Sequence, residues 1–426
     1  MPSTRPTLTR DEARRFVADN GFGHQPNTKN PDTSPPSDRI GIELEWLAVS
    51  IDSPVRAAPF DLVRDVAHAT SLPGGSRVTF EPGGQVELSS PPESLHEVCD
   101  AVQHDAEILG LALARAGVGL IALGLEPGPR RDRAVRSPRY DAMEAFFDTN
   151  GSAGRTMMRS TASLQVNVDL GDGEEIERRW RAAHDIGPML AAAFANSPFG
   201  TDGPSGSRST RLDVWADIDP GRTTPAGVNE SSGCADAWAD YALAADVMLM
   251  RKDDTHHHAQ LTPLAFGDWV EHGHRLGWPT IEDLEYHLTT LFPPVRPRGW
   301  LELRMLDALP TPAWRVASAV AAVLIQDPSL DDVVRSIAAT RARWNEAAHD
   351  ALSDLPLGQA ARSCFAAALE ALPSAGADAC TITATADYID HYVAHSRCPA
   401  DDLLDQWHSN AHPLPRPENY GEHTWT

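Results

Sequence analysis

Period-two alternation in five short segments restricts this chain to a fold built around a sheet. The segments are Gly41–Trp46, Phe80–Leu88, Ser163–Leu170, Arg211–Asp217 and Trp300–Arg304. Polar and apolar residues alternate throughout four of them, and in the second they alternate after a Gly83-Gly84 turn. Alternation with period two is the signature of a strand and puts every other side chain on one face. Glu43 and Glu45 then share a face, as do Gln85 and Glu87, as do Gln165, Asn167 and Asp169, and as do Glu302 and Arg304. The opposite faces carry Ile, Leu and Val, which suit a core. Folding does not require the acidic face.

Such a face implies a cation. Two carboxylates about 4 Å apart repel by roughly 4 kcal/mol at an effective dielectric near 20. Protonation, water or a bound cation can relieve this. Carboxylate oxygens are hard ligands that suit Mg²⁺ or Mn²⁺, and Mg²⁺ is commonly shared with substrate phosphates. Glu43/Glu45 alone is also compatible with a solvated strand face, and Arg211 to Asp217 with a salt-bridged surface strand. Pro82-Gly83-Gly84 supports a tight turn, after which Gln85 and Glu87 share one face.

Charge and motif content exclude other classes. The formal net charge is −24, from 36 basic and 60 acidic residues, which argues against nucleic acid or an anionic membrane as partner. No apolar run approaches the 18 or so residues of a membrane span, and no signal pattern opens the chain, so a cytoplasmic location is expected. The five cysteines (Cys99, Cys234, Cys364, Cys380, Cys398) are scattered without a C-x-x-C, as expected of reduced thiols. Lysine occurs only at positions 29 and 252, and no P-loop, G-x-S-x-G or H-E-x-x-H is present. Any nucleotide phosphates must therefore meet arginine and metal. His256-His257-His258 reads as a loop near the rim of the site, because adjacent histidines do not share one face.

The remaining pattern predicts helices at 11–19, 60–71, 94–117 (opened by a Ser94-x-x-Glu97 capping box), 174–195 and 234–250. After Pro312 it predicts Ala-rich helices at 313–326, 330–352, 357–372 and 383–396. Strands are predicted at 39–51, 77–90, 118–125, 160–170, 211–218 and 299–307. The expected fold class is α+β: a largely antiparallel sheet with one face forming the active site, flanked by helices, with a helical C-terminal part. The expected organisation is an N-terminal polar segment (1–38) with a short helix, a catalytic core (39–310), and a helical part (311–426) packed on that core.

The ordered motifs Glu81-Pro-Gly-Gly-Gln-x-Glu-Leu-Ser89 and Gln165-Val-Asn-x-Asp169 carry a resemblance. Gly41–Glu45, Leu95–Cys99, Met157-Met158, Ala195–Phe199, Arg211 to Arg222 and Leu301–Arg304 stand around them in the same order. The chain resembles the glutamate–cysteine ligases of plant-like and actinobacterial type, within the glutamine-synthetase-like carboxylate–amine ligases. The resemblance implies ATP-dependent joining of the glutamate γ-carboxylate to the amine of cysteine through γ-glutamyl phosphate. In the actinobacterial branch the product would serve ergothioneine synthesis. It implies that Glu43, Glu45, Glu81, Glu87 and Glu302 hold Mg²⁺, and that Gln165, Asn167 and Arg304 contact ATP. Gln85, Arg211 and Arg222 would bind substrate, with Arg304 and Arg211 acting in catalysis. A γ-glutamyl ligase for another amine, a carboxylate-pair glycosidase and a non-catalytic binding protein are the alternatives.

Overall fold

Strand β1 (Ile40–Ser50) is the axis of the molecule and changes partners halfway along its length. Its first half pairs with β4 (Val86–Ser89) on one side and β6 (Ser163–Asp169) on the other. Its second half pairs with β2 (Ser53–Ala57) and β5 (Val118–Ile121). β3 (Arg77–Phe80) extends the sheet beyond β4, and β12 (Trp300–Asp307) followed by β11 (Val295–Pro297) extends it beyond β6. All of these pairings are antiparallel. Two small ribbons stand apart, β7 (Phe199–Gly200) with β8 (Gly203–Pro204) and β9 (Leu249–Asp253) with β10 (His256–Ala259). These features come from a computed structural model that describes residues 8–23, 38–228, 233–253, 256–275, 277–409 and 417–418.

The alternation becomes two faces. Ile42, Leu44, Trp46, Val86, Leu88, Leu164, Val166, Val168, Leu301 and Leu303 are buried in one hydrophobic cluster. Helices Leu95–Arg115, Glu174–Ala193 and Ala313–Gln326 pack on that face. The C-terminal helices join the same cluster through Leu357, Phe365 and Tyr388, and the Tyr388 hydroxyl donates to the Ala193 carbonyl at 2.8 Å. Burying apolar surface at roughly 25 cal/mol per Å² makes this face the main source of stability. Helix Arg10–Phe22 belongs to a second cluster, with Gly233–Ala244 and residues 266–291. Among the described residues no helix is long and apolar enough to cross a membrane.

β12 carries a one-residue bulge. Leu303 stands opposite Val166, but Leu306 stands opposite Leu164 and Asp307 opposite Ser163. An extra residue reverses which face the following side chains take. Leu306 therefore enters the core, and Asp307 joins Ser163 on the polar face.

Several expected elements differ. Residues 211–218 are not a strand: Thr210–Ala216 is a helix, opened by the Ser209 hydroxyl accepting from the Leu212 amide. Seven residues hold too few turns for pattern alone to separate the two periods. The stretch 330–352 breaks into helices Asp331–Ser336 and Trp344–His349 with one 3₁₀ turn, Ala338–Thr340, between them. Residues 234–250 end as a helix at Ala244, and β9 begins at Leu249. The Ser94 hydroxyl donates to Glu97 (2.6 Å) instead of capping a backbone amide. The three histidines form strand β10 rather than a loop, packed on helix Pro138–Phe147, and His257 Nδ1 lies 2.7 Å from the Tyr286 hydroxyl. The helix expected at 11–19 runs from Arg10 to Phe22, and residues 24–37 of the N-terminal segment lie outside the described residues.

Candidate active site

Strand register gathers the acidic residues. Glu45 is directly opposite Glu87, Glu43 is opposite both Ser89 and Gln165, and Asn167 is opposite Glu302. Directly opposed residues bring their Cβ atoms to about 5 Å. Glu81 joins them from the turn before β4. That turn closes through Gly84 N–H to Glu81 O (2.8 Å) and Glu81 N–H to Gln85 O (3.0 Å). Gly84 has φ +83°, and a Cβ at Gly83 would lie 2.0 Å from the Arg159 carbonyl. Glycine at both positions is thus set by backbone geometry. The amides of Ala134 and Val135 donate to the Pro82 carbonyl and clamp the turn from outside.

Each carboxylate is held in its own way. Glu45 is buried and accepts from Ser163 N–H (2.8 Å), the Ser163 hydroxyl (2.9 Å) and Gln165 Nε2 (3.2 Å). Glu43 accepts from Asn167 Nδ2 (2.9 Å), whose own oxygen accepts from Trp300 Nε1 (2.9 Å). Glu87 accepts from the hydroxyls of Thr79 (2.5 Å) and Ser89 (3.0 Å). Glu302 receives a two-pronged contact from Arg296 (2.5 and 3.0 Å), with Arg304 at 3.2 Å. Arg304 also donates to Gln165 Oε1 at 2.5 Å. Glu45, Glu81 and Glu87 each place a carboxylate oxygen within 4.8 Å of the others. This all-oxygen donor set fits a hard divalent cation.

Burial pushes the Glu81 carboxyl up to about 8, reinforced by Glu45 and Glu87. It pushes Glu43 to about 7, with Glu302 and Glu87 adding to the effect. Burial also raises Glu45 and Glu87. At Glu302 burial acts in the same direction, but the Arg296 and then the Arg304 guanidinium outweigh it and hold the group near 2.

These shifts set a pH dependence of stability. Glu43 and Glu81 hold protons in the folded protein that the unfolded chain has released, so stability falls as pH rises from about 4.5 through 7 and 8. Buried His184 and His287, held down at about 4 and 3 by burial, act oppositely, but only below their unfolded value near 6.5. Glu302 acts only below 4.5. Between pH 7 and 8.5 the metal-free protein should therefore lose up to about 1.4 kcal/mol per pH unit for each proton, which is about 2 °C in Tm for a chain of this size. Calorimetry in chelator checks this, and a Tm that is flat or rises would contradict the assignment.

The face opens into a cavity of about 410 Å³ lined by Glu43, Glu45, Glu81, Glu87, Glu302 and Gln165, among others. A second, mainly apolar cavity of about 180 Å³ is lined by Leu212, Pro225, Met305 and Trp344. Arg211, Trp215, Phe292 and Arg304 line both and form the partition between them. Arg211 is buried. Its Nη2 donates to the Arg304 carbonyl (2.9 Å), while Nε has no hydrogen-bond partner. Arg304 Nε and Gln85 Oε1 are likewise buried and unpartnered, and Gln85 Nε2 donates to the Thr161 carbonyl at 2.7 Å. Unpaired buried donors and acceptors of this kind mark a place for a ligand.

Two expected residues take other positions. Arg222 is fully buried away from the cavity linings, and it donates to Asp219, Thr290 and the Asp246 carbonyl. All three of its guanidinium nitrogens are engaged in fastening loops rather than facing a cavity. Asn167 donates to Glu43 and lines neither cavity. Sequence reasoning missed Arg139, Arg296 and Arg298, which line the larger cavity. The Arg-x-Arg pair at 296 and 298, ahead of a strand bearing an acidic residue, was the available signal for two of them.

Comparison with known proteins now bears on this geometry. The model of glutamate-cysteine ligase family 2 matches residues 39–421. The chain is 39% identical over 381 residues to the glutamate–cysteine ligase EgtA of Mycolicibacterium smegmatis, covering 87% of this chain and 88% of that one. It is 30% identical over 342 residues to the chloroplastic glutamate–cysteine ligase of Brassica juncea, covering 78% and 63%. The crystal structure of the Francisella tularensis glutamate–cysteine ligase in complex with AMP superposes with a TM-score of 0.50 at 12% identity, covering 88% of this chain and 85% of that one. That last likeness speaks to fold alone.

Proposed function

The chain belongs to glutamate-cysteine ligase family 2, and from that premise we propose how its site joins glutamate to cysteine at the expense of ATP. A carboxylate does not react with an amine. The γ-carboxylate of glutamate takes the terminal phosphoryl group of ATP, releasing ADP. The amine of cysteine then attacks the acyl phosphate, phosphate leaves, and the γ-amide forms. The observation that carries this reading is the partition, where Arg211 and Arg304 stand between an acidic cavity and an apolar one.

Glu45, Glu81 and Glu87, with Glu43 and Glu302 beside them, are the residues that would hold Mg²⁺ or Mn²⁺. Bound there, the cation offsets polyphosphate charge and stabilises charge on the moving phosphoryl group. Gln165 orients Arg304, which faces the transferring group. Arg211 offers its unpartnered donor to glutamate, whose methylenes suit the Trp215 and Phe292 rings. Gln85 Oε1 is placed to accept from a substrate N–H. Catalysis on this reading is positioning and electrostatics. Residues 39–310 would form the ligase core, with the C-terminal helices bracing it. All five cysteines are free thiols, which supports a reducing, cytoplasmic setting. A role in ergothioneine synthesis is the part of the proposal that rests on the EgtA relatives.

Mass spectrometry after incubation with glutamate, cysteine, ATP and Mg²⁺ is the test. We expect γ-glutamylcysteine, ADP and phosphate. AMP with pyrophosphate, or turnover indifferent to cysteine, would overturn the reading.

A further inference from the structure

Asp307 is buried on the polar face and is absent from the acidic cluster. Its Oδ2 accepts from the Asn196 amide (2.8 Å) and the Ser197 hydroxyl (2.7 Å), and its Oδ1 accepts from the Ser209 hydroxyl (2.9 Å). Those two hydroxyls in turn accept from the first turn of helix Thr210–Ala216: Arg211 N–H to Ser197 (3.2 Å) and Leu212 N–H to Ser209 (3.3 Å). Arg211 Nη1 stands 3.8 Å from Asp307 Oδ1. One carboxylate therefore fixes both the backbone and the guanidinium of Arg211. The approach is so close that a Cβ at residue 124 would lie 2.4 Å from the Asp307 carboxyl carbon, which accounts for Gly124 there. Without the bulge in β12, Asp307 would point into the apolar core.

We propose that Asp307 is a positioning residue that sets the Arg211 guanidinium at the partition between the cavities. The inference rests on the reading that Arg211 grips glutamate. A carboxylate satisfied by three donors and lying beside a guanidinium holds it in one orientation, and misplacement of a positioning group by an ångström lowers rate sharply.

Steady-state kinetics of Asp307→Asn, Arg211→Lys and the double variant provide the test. Asp307→Asn should raise the glutamate KM about fivefold and leave the ATP KM within twofold. Placed on Arg211→Lys it should add less than twofold, because residues acting through one another are non-additive. The same fivefold loss in both backgrounds, or equal changes in both KM values, would overturn the proposal while leaving the Arg211 reading intact. Wild-type glutamate kinetics in Arg211→Lys would overturn that reading, and the proposal with it. Should Asp307→Asn fail to fold, Ser209→Ala replaces it: a twofold to threefold rise in glutamate KM that vanishes on Arg211→Lys supports the proposal, and an unchanged KM overturns it.

Discussion

Glu81→Gln should lower kcat at least a hundredfold and at the same time raise the Tm of the metal-free protein at pH 8. The two effects share one cause. Glu81 sits in a half-buried cluster with Glu45 and Glu87 and keeps its proton to about pH 8. A glutamine removes the penalty of ionising there, so the stability otherwise lost between pH 7 and 8.5 is retained. On the proposed reading the same change deletes a hard anionic ligand, and loss even of groups that only orient metal ligands typically reduces affinity or activity ten- to a hundredfold. Glu302→Gln should be equally inactive but less stable. Its carboxylate neutralises Arg296 and Arg304 inside the protein, and removing one partner of a buried pair leaves an uncompensated charge. Opposite signs in Tm for two substitutions of the same chemistry are the expected result. Calorimetry at pH 8 in chelator, run beside turnover assays, reads both. Near-wild-type turnover in Glu81→Gln, or a fall in its Tm, would remove Glu81 from the cluster.

These contrasts also show what the chain's pattern could reveal. β1, β6 and β12 were legible because one face of each is uniformly apolar, and period two then fixes the other face. The strands at 77–90 were legible for the same reason, aided by Pro-Gly-Gly. Nothing in the alternation states register, yet register is what puts Glu45 against Glu87 and Asn167 against Glu302. The pattern puts Arg211 on a strand because its short segment satisfies both periods, whereas it lies in the first turn of a helix. Asp307 was hidden by the bulge. Met305-Leu306 breaks the alternation after Arg304, and such a break is the one local sign that the face has been re-phased. The resemblance assigns Arg222 to substrate, whereas Asp219 three residues before it and the distant Thr290 and Asp246 carbonyls engage its nitrogens. Buried arginines serve structure as readily as ligands, and only the tally of their partners separates the two uses.

That tally makes Arg304 the more exacting case. Its Nη1 donates to Gln165 and lies near Glu302, its plane sits over the rings of Trp215 and Phe292 at 5.9 Å each, and its Nε is buried without a partner. A lysine would preserve the charge beside Glu302. It would lose the planar fork and the ring contacts, and it would bring a more strongly hydrated cation into the partition. Arg304→Lys should therefore fold, because Arg296 still neutralises Glu302, and its Tm should stay within a few degrees. Its kcat should fall at least about tenfold, close to 1.4 kcal/mol in barrier. The fall should appear in ADP formation under saturating glutamate and ATP, since in the proposed mechanism the lost donor acts on the moving phosphoryl group more than on either bound substrate. A variant with kcat within twofold of wild type would show that positive charge alone suffices at this position. The special geometry of the partition would then have to reside in Arg211 and the aromatic pair.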